Sequence, residues 1–362
     1  MQTLLVNKTD FGDVAIVNYD EGELPDGQIR VDIGPFALTA NNVTYMVTGD
    51  QIGYWSVFDP TAYDLTKDKG QGRMPVWGYG VVRESNFPGI EAGSDIYGFF
   101  PIAKSMDMQP GKLSKHGFTD IAEHRSGLHS LYSGYSFTAA DPSYSAHRDL
   151  QPVLRPLFTT SFLIDDFLAD EDNFGAKQVL LLSASSKTAL GTAYCLKARG
   201  GLPVVGLTSE GNKAFVEGTA FYNNVFTYDS IKDMNPDVKT VVVDMSGNMG
   251  VIRALEDHFG ETLTYICRVG ISHWQEAAKA PPKRTATPTA FFFAPDRAKQ
   301  RIADWGQAGF AENLGARWMP FLDSAKDWLT VEKQDGMEAV LENYRDLLNG
   351  QSGPSKGYLF TL

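Results

Sequence analysis

The sequence predicts an α/β protein with a compact β-rich domain followed by a doubly wound parallel-sheet domain. Three observations predict this class. The chain has 362 residues, beyond the roughly 250–300 at which a single core stops growing. Its first third consists of short alternating or β-branched runs broken by turn residues. From Gln178 onward, near-continuous apolar runs alternate with helical periods, the mark of a sheet covered on both faces.

The elements follow in order. "TLLVNK", "DVAIVN" and "QIRVDIGPFALT" read as strands, with "DEGELPDG" as a turn between the last two. "ANNVTYMVTGDQIGYWSVFDP" is aromatic and polar and reads as a loop. "MPVWGYGVVRES" to "GSDIYGFFPIAK", punctuated by Gly78, Gly80 and Gly89, fits a barrel of short strands. The period then changes, and "RPLFTTSFLIDDFLAD" (Arg155–Asp170) spaces its apolar residues for a helix, with Asp165 and Asp166 on a solvated face. "QVLLLSA", a helix over Thr188–Arg199, "LPVVGLTS", a helix near Asn212–Gly218, "NVFTYDS", "TVVVDMSG", a helix over Met249–His258 and "LTYICRVG" form the alternating, Rossmann-like section. "KAPPKR" marks a loop, Arg297–Ala303 and Gly336–Leu348 read as helices, and "KGYLFTL" reads as a closing strand.

Composition excludes several classes. The net charge is −12 with no long Lys/Arg run, which argues against a nucleic-acid partner and against an anionic membrane surface. No apolar window reaches the roughly 18 residues of a membrane span. The N-terminal residues lack a basic leader with a long apolar segment. Cys195 and Cys267, each in an apolar pattern, read as buried free thiols, and a cytoplasmic protein is expected.

The stretch "VLLLSASSKTALG" runs from an apolar strand through a small-residue turn into a helix. Dinucleotide turns of this shape carry three glycines, for curvature, for close approach to the pyrophosphate and for helix packing. Aligned on Gly191 as the third, the first two fall on Ser186 and Thr188. The hydroxyls of Ser185, Ser186 and Thr188, the helix N-terminus and Lys187 can replace the missing contacts. The competing readings are a plain helix cap and, from "SKT", a nucleotide triphosphate loop lacking its upstream glycine. At the end of the next strand stand Thr208 and Ser209, with Lys213 behind them. An acidic residue there would bind the ribose hydroxyl of NAD, whereas hydroxyls and a lysine suit the 2′-phosphate of NADP. Glu210 complicates this, and NADP(H) is preferred to NAD(H).

The order of domains, with "DGQIRVDIGPFALTANNVTYMVTGD", "PVWGYGVV", "VLLLSASSKTALG", "TVVVDMSGN" and the ending "MEAVLENYRDLLNGQSGPSKGYLFTL", resembles the medium-chain dehydrogenase/reductase superfamily. "LFTTSFLIDDFLAD" with "SASSKTALG" is similar to a branch catalogued mainly as a domain of unknown function. The resemblance implies a GroES-like β-barrel catalytic domain over 1–150, completed by 295–362, and a Rossmann cofactor domain over 151–294. It also implies homodimerisation. Zinc-dependent members place cysteine and Gly–His–Glu in segments that here read "ANNVTY" and "WGYG". Two cysteines cannot build the family's metal sites, and the six histidines (His116, His124, His129, His147, His258 and His273) show no paired ligand spacing. The likeness is therefore to the zinc-free quinone and enone reductases.

By that resemblance "NNVTYMVTGDQIGYW" lies beneath the nicotinamide, and Tyr45 is the nearest match to a proton-donating tyrosine, with Asn41 and Tyr54 as rivals. Asn41 or Asn42 would join it at the acceptor oxygen, and Met245, Ser246 and Asn248 would line the nicotinamide side. Trp55, Trp77 and Tyr79 make either an aromatic wall or core. His124–Arg125 and His147–Arg148 read as an anion site or as salt bridges. The expected activity is zinc-independent reduction of a carbonyl, quinone or activated C=C small molecule. A non-redox lyase or hydrolase and a non-catalytic ligand-binding protein are the alternatives.

Overall fold

The structure, a computed structural model, describes residues 1–125, 130–269 and 287–362. The chain divides into two compact units, Met1–Val153 with Val331–Leu362, and Leu154–Thr330. The sequence reading assigned 295–330 to the first domain; these residues cluster with the second unit.

The first unit opens with β1 (Gln2–Asn7), which pairs with β2 (Val14–Asn18) and β4 (Gln71–Gly72) in a small antiparallel sheet. Its larger sheet is centred on β3 (Ile29–Leu38), β5 (Pro75–Ser85) and β6 (Asp95–Pro101). Beside them lie β7 (Ser105–Met108), β8 (Pro110–Ser114), β9 (Gly117–Asp120) and β10 (Gly134–Phe137). Glycines let these strands pack closely: a Cβ on Gly78 would lie 2.6 Å from that of Phe36 on β3. After β3 the reading departs from the structure. "ANNVTYMV" is not loop but helix α1 (Ala40–Val47), started by a capping box between Thr39 and Asn42.

The second unit is the alternating section. Its sheet runs β13 (Asn224–Thr227), β12 (Val204–Thr208), β11 (Gln178–Leu182), β14 (Thr240–Asp244), β15 (Leu263–Arg268) and β16 (Thr289–Phe291), all in parallel register. Every residue of β12 and β14 is buried, as two covered faces require. The helices are α2 (Gln151–Asp170, which enters the unit at Leu154), α3 (Lys187–Arg199), α4 (Glu210–Gly218), α5 (Met249–Phe259) and α6 (Ala294–Ala325, kinked at Gly306). The chain then returns to the first unit as β17 (Thr330–Asp335), α7 (Met337–Leu348) and β18 (Lys356–Thr361), and β18 pairs with β3.

The solvated face expected at Asp165 and Asp166 is instead a set of ion pairs. Asp165 is buried and bonds Arg199 at 2.7 Å. Asp166 meets Arg297 at 2.6 Å and Arg301 at 2.8 Å. The two arginines lie four residues apart on α6, so one helix face grips one carboxylate.

Candidate functional site

The turn after β11 keeps its geometry without glycine. The strand ends at Leu182, and Ser183 takes φ 51°, the left-handed conformation that a first glycine would serve. Ser186 caps α3, its Oγ accepting from the Ala189 N–H at 3.2 Å. The close-turn position is thus Ser183, three residues earlier than an alignment on Gly191 puts it. Gly191 lies inside α3, where a Cβ would come within 2.6 Å of Ser161 Oγ on α2. Ser161 also donates to the Thr188 carbonyl at 2.7 Å, tying α2 to the first turn of α3. Among the described residues, the backbone N–H and the hydroxyl of Thr188 have no partner. Lys187 is part-exposed, and desolvation lowers its ammonium to about 8.

Next to this turn is the tip of β12. Thr208 is buried, and its hydroxyl approaches Ser185 Oγ at 3.5 Å. Asn212 Nδ2 donates to the same Ser185 Oγ at 3.1 Å, a contact sequence reasoning missed. Ser209 and Glu210 are exposed, and Lys213 is part-exposed. At the end of β14, Asp244 Oδ1 accepts from the Ser246 N–H, the Ser246 hydroxyl and the Gly247 N–H at 2.8, 2.7 and 3.0 Å. Asn248 caps α5 by accepting from Gly250 and Val251, and Met245 and Ser246 are buried. Ser246 and Asn248 therefore shape the strand end, with their side chains engaged locally.

The second cluster belongs to the first unit and is aromatic. On α1, Asn41 and Tyr45 are one turn apart, and Asn41 Nδ2 donates to Tyr45 Oη at 2.5 Å. Trp77 Nε1, from β5, donates to the same oxygen at 2.9 Å. Tyr45 is 4% exposed, whereas Asn41 and Trp77 are part-exposed. Its ring packs on Tyr54 at 4.7 Å and edge-on to Phe99 at 5.3 Å. Burial, above all, pushes the Tyr45 phenol well above its ordinary value. Tyr54 is also buried, and its hydroxyl pairs with that of Tyr132 at 2.7 Å. Asn42 stands apart: its Oδ1 accepts from the Thr39 N–H at 2.6 Å and its Nδ2 donates to the Pro75 carbonyl at 2.8 Å, so its amide builds the helix start.

A family model described as "Protein of unknown function (DUF2855)" matches residues 36–353. The chain belongs to that family. No curated protein matches it in sequence. Among solved structures, it is similar to CurA from Vibrio vulnificus in complex with NADPH, 13% identical, with a TM-score of 0.63 over 100% of this chain and 99% of that one. It is also similar to the yhdH oxidoreductase from Salmonella enterica in complex with NADP, 13% identical, TM-score 0.53, over 100% of each chain. Galactitol-1-phosphate dehydrogenase from Escherichia coli is 9% identical, with a TM-score of 0.53 over 100% of each. At these identities the likeness is one of fold, that of a mixed α/β chain with a parallel, Rossmann-like sheet.

In this DUF2855 chain the remaining candidates are structural. Arg125 is buried, bonding Asp120 at 2.8 Å, Tyr135 Oη at 2.6 Å and the Tyr132 carbonyl at 2.7 Å. His124 Nε2 lies 3.0 Å from Tyr63 Oη. Arg148 grips Asp95 with both ends of its guanidinium and stacks on Tyr79, 3.9 Å from the ring centre. Trp55 is core, because a Cβ on Gly49 or Gly72 would strike its ring. Of the expected aromatic wall, Trp77 alone meets Tyr45. Among the described residues no three His, Cys, Asp or Glu side chains gather to hold a metal. His129, His273 and the "KAPPKR" loop lie outside the described residues.

Proposed function

We propose that the chain is a zinc-independent, NADPH-dependent reductase of a carbonyl compound, a quinone or an activated C=C bond. The observation that carries this is the start of α3. A helix N-terminus beyond a central parallel strand, with the Thr188 N–H and hydroxyl unengaged and Lys187 beside them, suits a pyrophosphate. The fold neighbours crystallised with NADPH and NADP support the same ligand.

The residues present fit such a dinucleotide. Ser183 makes the tight turn, Thr188 and Lys187 face the pyrophosphate, and Ser185 with Asn212, Ser209 and Lys213 receives the 2′-phosphate near the buried Thr208. Met245 stands on the nicotinamide side. Bound NADPH would supply a hydride. Tyr45 then gives its hydroxyl proton to the reduced acceptor: its O–H bond breaks, a bond to the acceptor's oxygen or carbon forms, and water reprotonates the phenolate. Asn41 helps hold the acceptor oxygen. Both cysteines are buried, and burial pushes their thiols up, Cys267 to about 12, away from the thiolate a zinc site needs. A homodimer is the assembly the superfamily resemblance favours, and the two buried free thiols favour the cytoplasm.

The test is a fluorescence titration with NADPH and NADH, followed by crotonaldehyde, trans-2-hexenal and 1,4-benzoquinone as acceptors. Tighter binding of NADPH and acceptor-dependent loss of its absorbance are expected. Binding of neither nucleotide below millimolar concentration sinks the reading, and turnover without nicotinamide would put a lyase or hydrolase in its place.

A further inference from the structure

We infer that Trp77 is a positioning residue for the proton step, its indole N–H holding the Tyr45 oxygen as an acceptor and steadying the charge that forms there. The inference rests on the proposed reductase reading and adds a residue that reading does not use. Indole nitrogen only donates, so the 2.9 Å bond from Trp77 has one polarity, whichever way the Asn41 amide is turned. With Asn41 donating as well, the phenol oxygen has both acceptor positions filled. The hydroxyl proton is then the remaining hydrogen-bonding capacity, and among the described residues no acceptor takes it.

Trp77 is held firmly for this task. It sits on β5 opposite Phe99 of β6, which it meets at 5.0 Å, and stacks on Tyr97 at 5.9 Å. The contrast with other tryptophans is informative. Among the described residues the buried indole N–H groups of Trp318 and Trp328 have no partner, so packing alone does not deliver an indole to a hydroxyl here. Trp77 is part-exposed, yet its indole N–H points at Tyr45. A donor fixed on a strand cannot follow the phenol as the proton leaves, so it favours the charged oxygen without reorganising.

The experiment replaces Trp77 with benzothienylalanine, which keeps the ring shape and lacks the N–H, alongside Trp77→Phe and Tyr45→Phe. Proton NMR of the six indole N–H groups comes first, with the Trp77 signal assigned by its loss in Trp77→Phe. That signal should move upfield in Tyr45→Phe, and an unmoved signal overturns the inference. With NADPH and crotonaldehyde or trans-2-hexenal, the analogue should lower kcat about ten- to hundred-fold, as loss of a hydrogen bond to a charged group does. KM and NADPH affinity should hold, and the solvent isotope effect should rise. An unchanged kcat, or a loss confined to KM, overturns the inference while a damaged Tyr45→Phe leaves the reductase reading standing. Full activity in Tyr45→Phe, or no acceptor reduced by the parent, overturns both.

Discussion

The turn after β11 and the aromatic cluster around Tyr45 treat polar atoms in opposite ways. In the turn, hydroxyls and a backbone N–H stand at a helix end, partly open and partly unengaged. In the cluster, phenols are buried and each oxygen meets a named neighbour, Tyr45 with Asn41 and Trp77, Tyr54 with Tyr132. The first arrangement is suited to capturing a charged ligand, whose oxygens complete the missing bonds. The second is suited to fixing one atom in place. A buried phenol with its partners set has one geometry, and that is what a proton transfer needs.

The largest effect should come from beneath the aromatic cluster. Arg125→Met leaves Asp120 buried without its cation and should cost about 3–5 kcal/mol in urea unfolding. A cost below about 1 kcal/mol would mean the cluster does not depend on that pair. On the other side of the comparison, Gly191→Val drives a side chain into Ser161 and should cost about 1–3 kcal/mol. Thr188→Asp should separate binding from stability. It should weaken NADPH about ten-fold or more by repulsion while changing stability by less than about 1 kcal/mol, because acids suit a helix N-terminus. Ser183→Gly relieves a left-handed serine and should stabilise the fold by about 1 kcal/mol. Loss of stability there would show that the serine hydroxyl matters more than its backbone.

The smallest effect is one of pH. Desolvation sets the Lys187 ammonium at about 8, below its ordinary value, so the folded state binds fewer protons between the two. Stability should therefore rise with pH across that window, and NADPH affinity should fall as pH passes about 8. Lys187→Met should flatten both curves, checked by unfolding and titration at matched ionic strength.

Much of the fold was legible because its signals are local. The run of buried apolar residues in β11, β12 and β14 sits in consecutive positions, and so does the helix that follows each. Helix α1 was missed although Thr39 and Asn42 carry its start; asparagine three residues past a threonine can cap as well as fill a loop. Gly191 packs against Ser161, the packing expected of a third glycine, but the left-handed turn falls on Ser183, which as a serine gave no glycine signal. Contacts across long separations left no trace in the sequence. Tyr132 meets Tyr54 from 78 residues away, and Trp77 meets Tyr45 from 32. Asp165 and Asp166 looked solvated because their arginines lie far along the chain.

The turn at α3 also bears on how fast an anion arrives. The chain as a whole carries a net charge of −12, so a dinucleotide approaching from a distance is repelled before it feels Lys187 or the helix end. Salt shortens the reach of that repulsion to about 10 Å at 0.1 M, while leaving the short-range pull of the turn comparatively intact. Association of NADPH should therefore quicken as salt is first added, the reverse of ordinary electrostatic steering.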